Sequence, residues 1–436
     1  TPLPTLFPYT TLFRSQKHNR KRMGNKKSMN IRKPEVLAPA GDWERFQFAL
    51  QYGADAIYLG GKQFTMRAAP ANFTAEQLAA AVQLAHAKGV KVYLTCNTLP
   101  HNADLPQFLP YLREMAETGI DAVIVADLGL LALIRKALPD LEIHMSTQMG
   151  IVNYETANAL YDLGVKRVVL ARELSLEEIA EIRAKTPADL ELEAFVHGAM
   201  CVSFSGRCLL SAYLTGRDAN QGACAQPCRW KYRLMEETRP GQYFPVEEHD
   251  EGTYIMNAKD LCMIDHIPEL LASGVDSLKL EGRAKSSYYV AVVTNAYRSA
   301  VDAYLQQPEG FVLPEWIREE VYKVSHRGYC TGFFFGKPEA GQRYTDNSYD
   351  RSFDVIAIAD DWRDGMLYVT QRNRFFAEDT VELLAPERQP ITIPLNGNLF
   401  DETGERIIVA NHAMMACAFP CPVAVPKGTI VRKRAE

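Results

Sequence analysis

Residues 34–60 read PEVLAPAGDWERFQFALQYGADAIYLG and contain the unit from which the fold of this chain is predicted. An apolar run at 36–38 is followed by an amphipathic stretch, and a second apolar run follows at 55–60. Short apolar runs that alternate with amphipathic stretches of about ten to fifteen residues are typical of strands alternating with helices.

The same unit recurs along the chain. The strand-like runs are 36–38, 55–60, 91–97, 122–127, 142–148, 167–173, 191–197 and 277–283. Between them, 74–88 has apolar residues at helical spacing and a stop at Gly89, and 175–185 opens with the helix-capping sequence SLEE. Eight alternations are compatible with a doubly wound sheet or a closed barrel, and the count favours a TIM-like (β/α)8 barrel of the α/β class.

The texture of the sequence predicts three regions. Residues 30–335 form the barrel, whose last repeat is interrupted by a cysteine-rich insertion at 199–276. Residues 336–436 contain short strand-like runs without helices between them and predict a small β-rich, barrel-like domain. Residues 1–29 lack a core-like pattern; we expect a non-native or disordered leader, with the natural start near Met23 or Met29. The alternative is a basic RNA-binding arm.

Composition places the protein among intracellular globular chains. It has 436 residues, 47% of them hydrophobic, and a formal net charge of −5, so any nucleic-acid binding must use a local basic patch. No apolar run approaches the roughly 20 residues needed to span a bilayer. Nine cysteines in so long a chain do not form a secreted disulfide scaffold, which favours a reducing cytoplasm.

Charged residues alternate with apolar ones in the last predicted strands. Lys279, Glu281 and Arg283 share one face, and 191–197 places Glu193 and His197 on another. Charges inside a barrel either form a structural network or line a pocket at its carboxyl end, where barrel enzymes carry out their chemistry. The second interpretation gives five candidate catalytic residues: Glu281, Arg283, His197, Arg172 and Glu173. His197 could equally be a core histidine.

Four cysteines within 28 residues predict a metal centre. Cys201, Cys208, Cys224 and Cys228 have the spacing C-x6-C-x15-C-x3-C. Zinc sites usually contain two tight cysteine pairs, whereas iron–sulfur clusters accept looser spacing, so a cluster is favoured and zinc or unliganded thiols remain the alternatives. A second pair, Cys417 and Cys421, is expected to have no metal role.

Several long motifs match one known family. They are EVLAPAGD at 35–42, FVHGAMCVSFSGRCLLSAYLTGRDANQGACAQPCRWKY at 195–232, GTYIMNAKDLCMIDHIPEL at 252–270, SLKLEGRAKSSYYV at 277–290 and SHRGYCTGF at 325–333. From about residue 34 to the end, the chain resembles the collagenase-like peptidase family of unclassified type. Within that family it is most similar to the TrhP/YegQ branch, the tRNA 5-hydroxyuridine synthesis proteins.

The resemblance implies a cytoplasmic enzyme that hydroxylates the wobble uridine of tRNA without molecular oxygen, with prephenate as co-substrate. The cysteines at 201, 208, 224 and 228 would hold a [4Fe–4S] cluster. Four cations next to these cysteines would contact the anticodon loop: Arg207, Arg217, Arg229 and Lys231. Aromatic residues accompany them, and cations together with aromatic rings suit an unstacked base and its phosphates. The alternatives are a collagenase-like peptidase and a noncatalytic role beside a paralogous subunit.

Overall fold

Eight parallel strands close into the predicted barrel. The computed structural model describes residues 32–67, 71–201, 208–230, 259–336 and 352–435, with the backbone alone for Tyr213 and Arg229. The first ten strands are β1 Glu35–Ala40, β2 Ala56–Gly60, β3 Lys91–Cys96, β4 Ala122–Val125, β5 Glu142–Met145, β6 Arg167–Val169, β7 Glu191–Ala199, β8 Asp260–Cys262, β9 Ser277–Leu280 and β10 Tyr329–Cys330. Neighbours pair in chain order from β1 to β7, and β9 pairs in parallel with both β7 and β1. The sheet is therefore closed rather than doubly wound.

Helices alternate with the barrel strands. They are α1 Trp43–Gln51, α2 Ala75–His86, α3 Leu105–Ala116, α4 Leu128–Ala137, α5 Tyr154–Asp162, α6 Leu176–Ala184, α7 Leu210–Thr215, α8 Ile267–Ala272, α9 Ser287–Gln306 and α10 Glu315–Tyr322. Helix α8 packs between α6 and α9, so it takes the place of the seventh barrel helix although it lies within the stretch 199–276. Strand β8 pairs antiparallel with the end of β7 and extends the sheet beyond the barrel, together with β10.

Local sequence signals explain where two helices begin. The Thr74 hydroxyl accepts a hydrogen bond from the backbone N–H of Gln77, whose side chain accepts one from the backbone N–H of Thr74. Ser175 and Glu178 form the same reciprocal arrangement at the start of α6. Each capping box satisfies backbone donors that a helix cannot satisfy internally. The helices predicted from the TAEQ and SLEE sequences are confirmed.

The small C-terminal domain is β-rich, as the sequence predicts, and its strands pair antiparallel. Its strands are β11 Phe353–Arg363, β12 Met366–Gln371, β13 Phe375–Phe376, β14 Thr380–Leu384, β15 Ile391–Pro394, β16 Phe400–Asp401, β17 Val409–Ala410, β18 Ala416–Pro420 and β19 Ile430–Arg434. Seven of them form one sheet in the order β15-β14-β19-β11-β12-β18-β16, and β13 pairs with β17. Cys417 and Cys421 are buried in its core.

The sheet is joined to the barrel helices by buried polar contacts. The Tyr52 hydroxyl, at the end of α1, donates to the carbonyl of Leu384 at 2.7 Å and accepts from the N–H of Ile430 at 3.3 Å. Arg432 of β19 is fully buried and forms a two-point ion pair with Glu320 of α10, at 2.6 and 2.8 Å. It also reaches Glu382 of β14 at 2.7 Å. These carboxylates raise the pKa of Arg432 against the opposing effect of its burial.

Removal of this cation should destabilise the protein strongly. Arg432→Met leaves Glu320 buried with Lys323 as its one counter-charge among the described residues, and breaking one side of a buried pair costs about 3–5 kcal/mol. The matched control is Arg363→Met, because the Arg363 side chain is 63% exposed and its loss should leave the unfolding midpoint nearly unchanged. Urea unfolding of both variants measures the difference, and equal midpoints would contradict the assignment.

Two further predictions concern the leader and the membrane-spanning segments. The leader at 1–29 lies outside the described residues. Among the helices that the structure does describe, none combines the length and the apolar character that crossing a bilayer requires.

Candidate functional site

The barrel interior contains charged side chains at two heights. The lower group lies at the amino ends of the strands and centres on Arg167. Its guanidinium reaches Glu35 and Glu191 at 2.6 Å each and Glu193 at 3.0 Å. Lys279 completes the group by contacting Glu193 at 2.5 Å.

The lower group is a self-contained ion network. Burial would raise the pKa of Glu35, but Arg167 and hydrogen bonds from Tyr93 and Ser277 lower it to about 2. The pKa of Glu193 is lowered in the same way by Lys279 and Arg167. Residues at the amino end of a barrel serve stability, so this group matches the structural network that the sequence left open as an alternative.

The upper group lies at the carboxyl ends of the strands and contains Arg283, just after β9. Arg283 is 2% exposed. It donates to the hydroxyls of Thr65 and Thr95, at 2.7 and 2.9 Å, and to the side-chain oxygen of Asn72 at 2.8 Å. In the described part of the chain no carboxylate lies within ion-pair distance of this guanidinium. Burial accordingly lowers the pKa of Arg283 to about 10.

Glycine at position 60 makes room for this arginine. A Cβ atom added to Gly60 would collide with the Arg283 guanidinium and with the Thr65 hydroxyl. The end of β2 therefore has to lack a side chain for the guanidinium to sit across the barrel mouth.

Glu281 is the carboxylate of the upper group and lies between two further arginines. Its oxygens are 3.3 Å from Arg67 and 3.6 Å from Arg172. Burial opposes ionisation of Glu281, but the nearby guanidiniums outweigh it and lower the pKa of the carboxyl. Arg172 also stacks on the Phe195 ring at 3.9 Å and donates to the carbonyl of Ala199. Glu281 is therefore an ionised acceptor held by cations.

The structure thus brings together three of the five candidate catalytic residues: Glu281, Arg283 and Arg172. It adds Arg67 and Asn72, which the sequence analysis missed because they lie in the loop after β2 rather than on a strand. That loop follows the carboxyl end of a barrel strand, where barrel enzymes place their site residues, so its position could have indicated that it contributes to the site.

His197 does not share the face of Glu193, and the expectation that it does is wrong. The pairing of β7 with β9 shifts between Phe195 and His197, so that His197 lies opposite Leu280. An irregularity of this kind changes the face on which the following side chains lie. His197 packs among Tyr289, Tyr297 and Tyr329, where burial lowers its pKa to about 3.

Glu173 is half-buried in the segment after β6, and its proposed role stays a prediction. The five candidate residues therefore do not form a single constellation.

The cysteine segment lies against the same end of the barrel. We call residues 208–230 the cysteine cap. Its Asn220 carbonyl accepts a hydrogen bond from the N–H of Leu99 at 3.2 Å, in the loop after β3. Gly222, with φ +85°, lies so close to the Thr65 carbonyl that a side chain would collide with it.

The four cysteines suit a thiophilic metal group in their chemistry. Cys208 and Cys224 are free, half-buried thiols, and the Cys224 sulfur accepts from the N–H of Gln226 at 3.3 Å. Cys201 follows β7, and Cys228 lies in a short 3-10 turn. No three metal-binding side chains are grouped around a common point in the residues that the structure covers. Four thiols are the donor set of an iron–sulfur cluster, and their assembly around one stays a prediction.

The predicted RNA-contacting residues can be placed only in part. Arg217 is exposed on the cysteine cap. Arg207, Lys231 and the side chain of Arg229 lie outside the described residues.

The fold and site define a (β/α)8-barrel protein with a charged mouth beneath a cysteine-bearing cap, joined to a small antiparallel sheet. The chain belongs to peptidase family U32. The profile of this family matches residues 41–344, and that of the U32 C-terminal domain matches 351–432. The family resemblance drawn from the sequence motifs is confirmed.

The chain is similar to relatives that carry different functional names. The chain is 37% identical over 413 residues to tRNA hydroxylation protein P1 of Bacillus subtilis, which covers 94% of this chain and 97% of the relative. It is 38% identical over 306 residues to the 23S rRNA 5-hydroxycytidine C2501 synthase of Escherichia coli, covering 69% and 45%. It is 33% identical over 320 residues to a collagenase of Porphyromonas gingivalis, covering 71% and 75%.

Proposed function

We propose that this protein is an iron–sulfur RNA hydroxylase that forms 5-hydroxyuridine at the wobble position of tRNA. The observation that carries the proposal is the similarity to tRNA hydroxylation protein P1 along almost the full length of both chains. The relative named as a 23S rRNA hydroxycytidine synthase supports the broader class of RNA base hydroxylation.

In this proposal, Cys201, Cys208, Cys224 and Cys228 hold a [4Fe–4S] cluster, which supplies one-electron redox chemistry when bound. The protein's own upper group binds and orients the reactants below the cap. Arg67 and Arg172 keep Glu281 ionised, so it accepts hydrogen bonds and fixes the two guanidiniums in place. The cap contacts the loops after β2 and β3, at Thr65 and Leu99, and so lies beside the mouth.

Two further parts of the proposal concern the reactants. Prephenate supplies the hydroxyl group and molecular oxygen is not required, so hydroxylation should continue in anaerobic cells and stop in cells that cannot make prephenate. Arg217, together with Arg207, Arg229 and Lys231, contacts the anticodon loop in the cytoplasm. Such cations bind phosphates without reading the sequence.

The named collagenase relative makes peptide hydrolysis the competing proposal. Hydrolysis needs an activated nucleophile or a strong base. Glu281 is a weak base, since neighbouring cations lower its pKa, and it is engaged by Arg67 and Arg172. The barrel mouth therefore favours binding of anionic reactants over attack on an amide.

Expression of the protein in a bacterial strain that lacks its own tRNA hydroxylation protein P should restore 5-hydroxyuridine-derived wobble nucleosides. Mass spectrometry of digested tRNA measures this directly. The purified protein should leave collagen uncut over the same period. Unchanged tRNA nucleosides with an intact, iron-loaded protein would refute the proposal, and collagen cleavage would favour the competing one.

A further inference from the structure

The upper group carries more positive than negative charge. Among the residues that the structure describes, its three guanidiniums, Arg67, Arg172 and Arg283, are accompanied by one carboxylate, Glu281, which leaves two formal positive charges. Glu193 does not compensate them, because it is already 2.5 Å from Lys279 and 3.0 Å from Arg167. A buried excess of charge is unfavourable unless a counter-charge joins it.

The contacts inside the group are loose for charge-assisted hydrogen bonds. Glu281 lies 3.3 Å from Arg67 and 3.6 Å from Arg172, whereas ion pairs of this kind usually approach to about 2.7–2.9 Å. Glu281 therefore does not occupy all the hydrogen-bond donors of the two guanidiniums around it.

Two donors in the group are buried without a protein acceptor. Among the described residues, the Nε–H groups of Arg172 and Arg283 have no hydrogen-bond partner. Buried donors in native proteins are nearly always satisfied, and an unsatisfied one costs about 1–3 kcal/mol. A planar guanidinium with a spare N–H is suited to carboxylate or phosphate oxygens.

The surroundings enclose this charge on most sides. Arg283 is 2% exposed and the Arg172 side chain 12%, while the Arg67 side chain is 41% exposed. We therefore expect a ligand to enter on the Arg67 side, where the loop after β2 lies against Gly222 of the cysteine cap at Thr65. An anion that entered there would be partly shielded from water, where its attraction to guanidinium is strengthened.

We propose that Arg172, Arg283 and Arg67 form an oxyanion-binding site at the barrel mouth, which holds a carboxylate or phosphate of a reactant beneath the cysteine cap. The proposal deepens the proposed function, on which the identity of the reactant rests. Glu281 competes with the anion for Arg67 and Arg172 and so moderates the affinity of the site.

Isothermal titration calorimetry tests the site on the anaerobically purified full-length protein at low ionic strength. The probes are prephenate, malonate, inorganic phosphate and an anticodon stem-loop RNA. Arg172→Gln should weaken binding by about tenfold or more, because a hydrogen-bonded charge is lost. Arg172→Lys should retain part of the affinity, and Glu281→Gln should bind more tightly than the unchanged protein. Arg113→Gln, on the exposed face of α3, removes the same charge elsewhere and should bind normally.

The probes distinguish the source of the oxyanion. Loss of prephenate and malonate binding in Arg172→Gln, with RNA binding retained, assigns a small carboxylate. Loss of RNA binding alone assigns a backbone phosphate. The proposal is overturned if no probe binds the unchanged protein, or if Arg172→Gln binds like Arg113→Gln with both variants folded by thermal melting. Because binding is the readout, a protein that binds the anion but restores no tRNA nucleoside would refute the hydroxylase proposal alone.

Discussion

Replacement of one cysteine by serine in the four-cysteine set is expected to remove both the iron and the hydroxylation activity. The set is Cys201, Cys208, Cys224 and Cys228. Anaerobically purified protein should contain about four irons per chain, and a serine oxygen replaces a thiolate poorly on iron. Iron analysis and tRNA nucleoside mass spectrometry measure the two losses in the same preparations.

Cys417→Ser is the matched control for these variants. Cys417 is 3% exposed in the core of the C-terminal sheet, and burial raises its pKa to about 11, so it is a neutral thiol. The variant should keep its full iron content. Loss of iron in Cys417→Ser or Cys421→Ser, or stoichiometric zinc in place of iron, would contradict the ligand assignment.

Arg283→Met is expected to reduce the rate of hydroxylation by about a hundredfold or more. The free energy of unfolding should change by less than about 2 kcal/mol. Burial lowers the pKa of Arg283 below the ordinary arginine value, to about 10, so the charged form is disfavoured in the folded state. Below pH 10 the arginine is charged in both the folded and the unfolded chain. Keeping the buried side chain charged then destabilises the folded state by about 3 kcal/mol. Its removal offsets the hydrogen bonds lost to Thr65, Thr95 and Asn72.

Arg167→Met provides the opposite case in the same barrel. Arg167 is paired with Glu35, Glu191 and Glu193, and Glu35 and Glu193 raise its pKa despite burial. Loss of that cation should lower stability by about 3–5 kcal/mol. Thermal melting and nucleoside analysis of both variants separate the roles. If Arg283→Met melts as early as Arg167→Met and its folded fraction keeps full activity, Arg283 is a structural residue.

The alternation of apolar runs and amphipathic stretches was sufficient to predict the barrel, because strand and helix periodicities are local properties of the sequence. The same holds for the small β domain and for the helix that begins after the SLEE sequence at Ser175. The four clustered cysteines are equally visible in the sequence, since their significance lies in their spacing. The family resemblance came from long contiguous motifs.

The positions of the two charged groups along the barrel axis are known only from the tertiary structure. Strand parity shows that Lys279, Glu281 and Arg283 share a face. It does not show that Lys279 belongs to the lower group around Arg167 and Arg283 to the upper group, where it has no carboxylate partner among the described residues. Arg67 and Asn72 enter the site from a loop, whose path is set by packing rather than by periodicity.

The irregularity in β7 that moves His197 into a cluster of tyrosines is likewise invisible in an alternating sequence. Arg432 meets Glu320 across 112 residues because two domains pack together. The sequence by itself determined which elements form and which residues carry chemistry. The tertiary structure decided which of those residues meet, because contacts between distant segments depend on how the closed barrel and its loops pack in three dimensions.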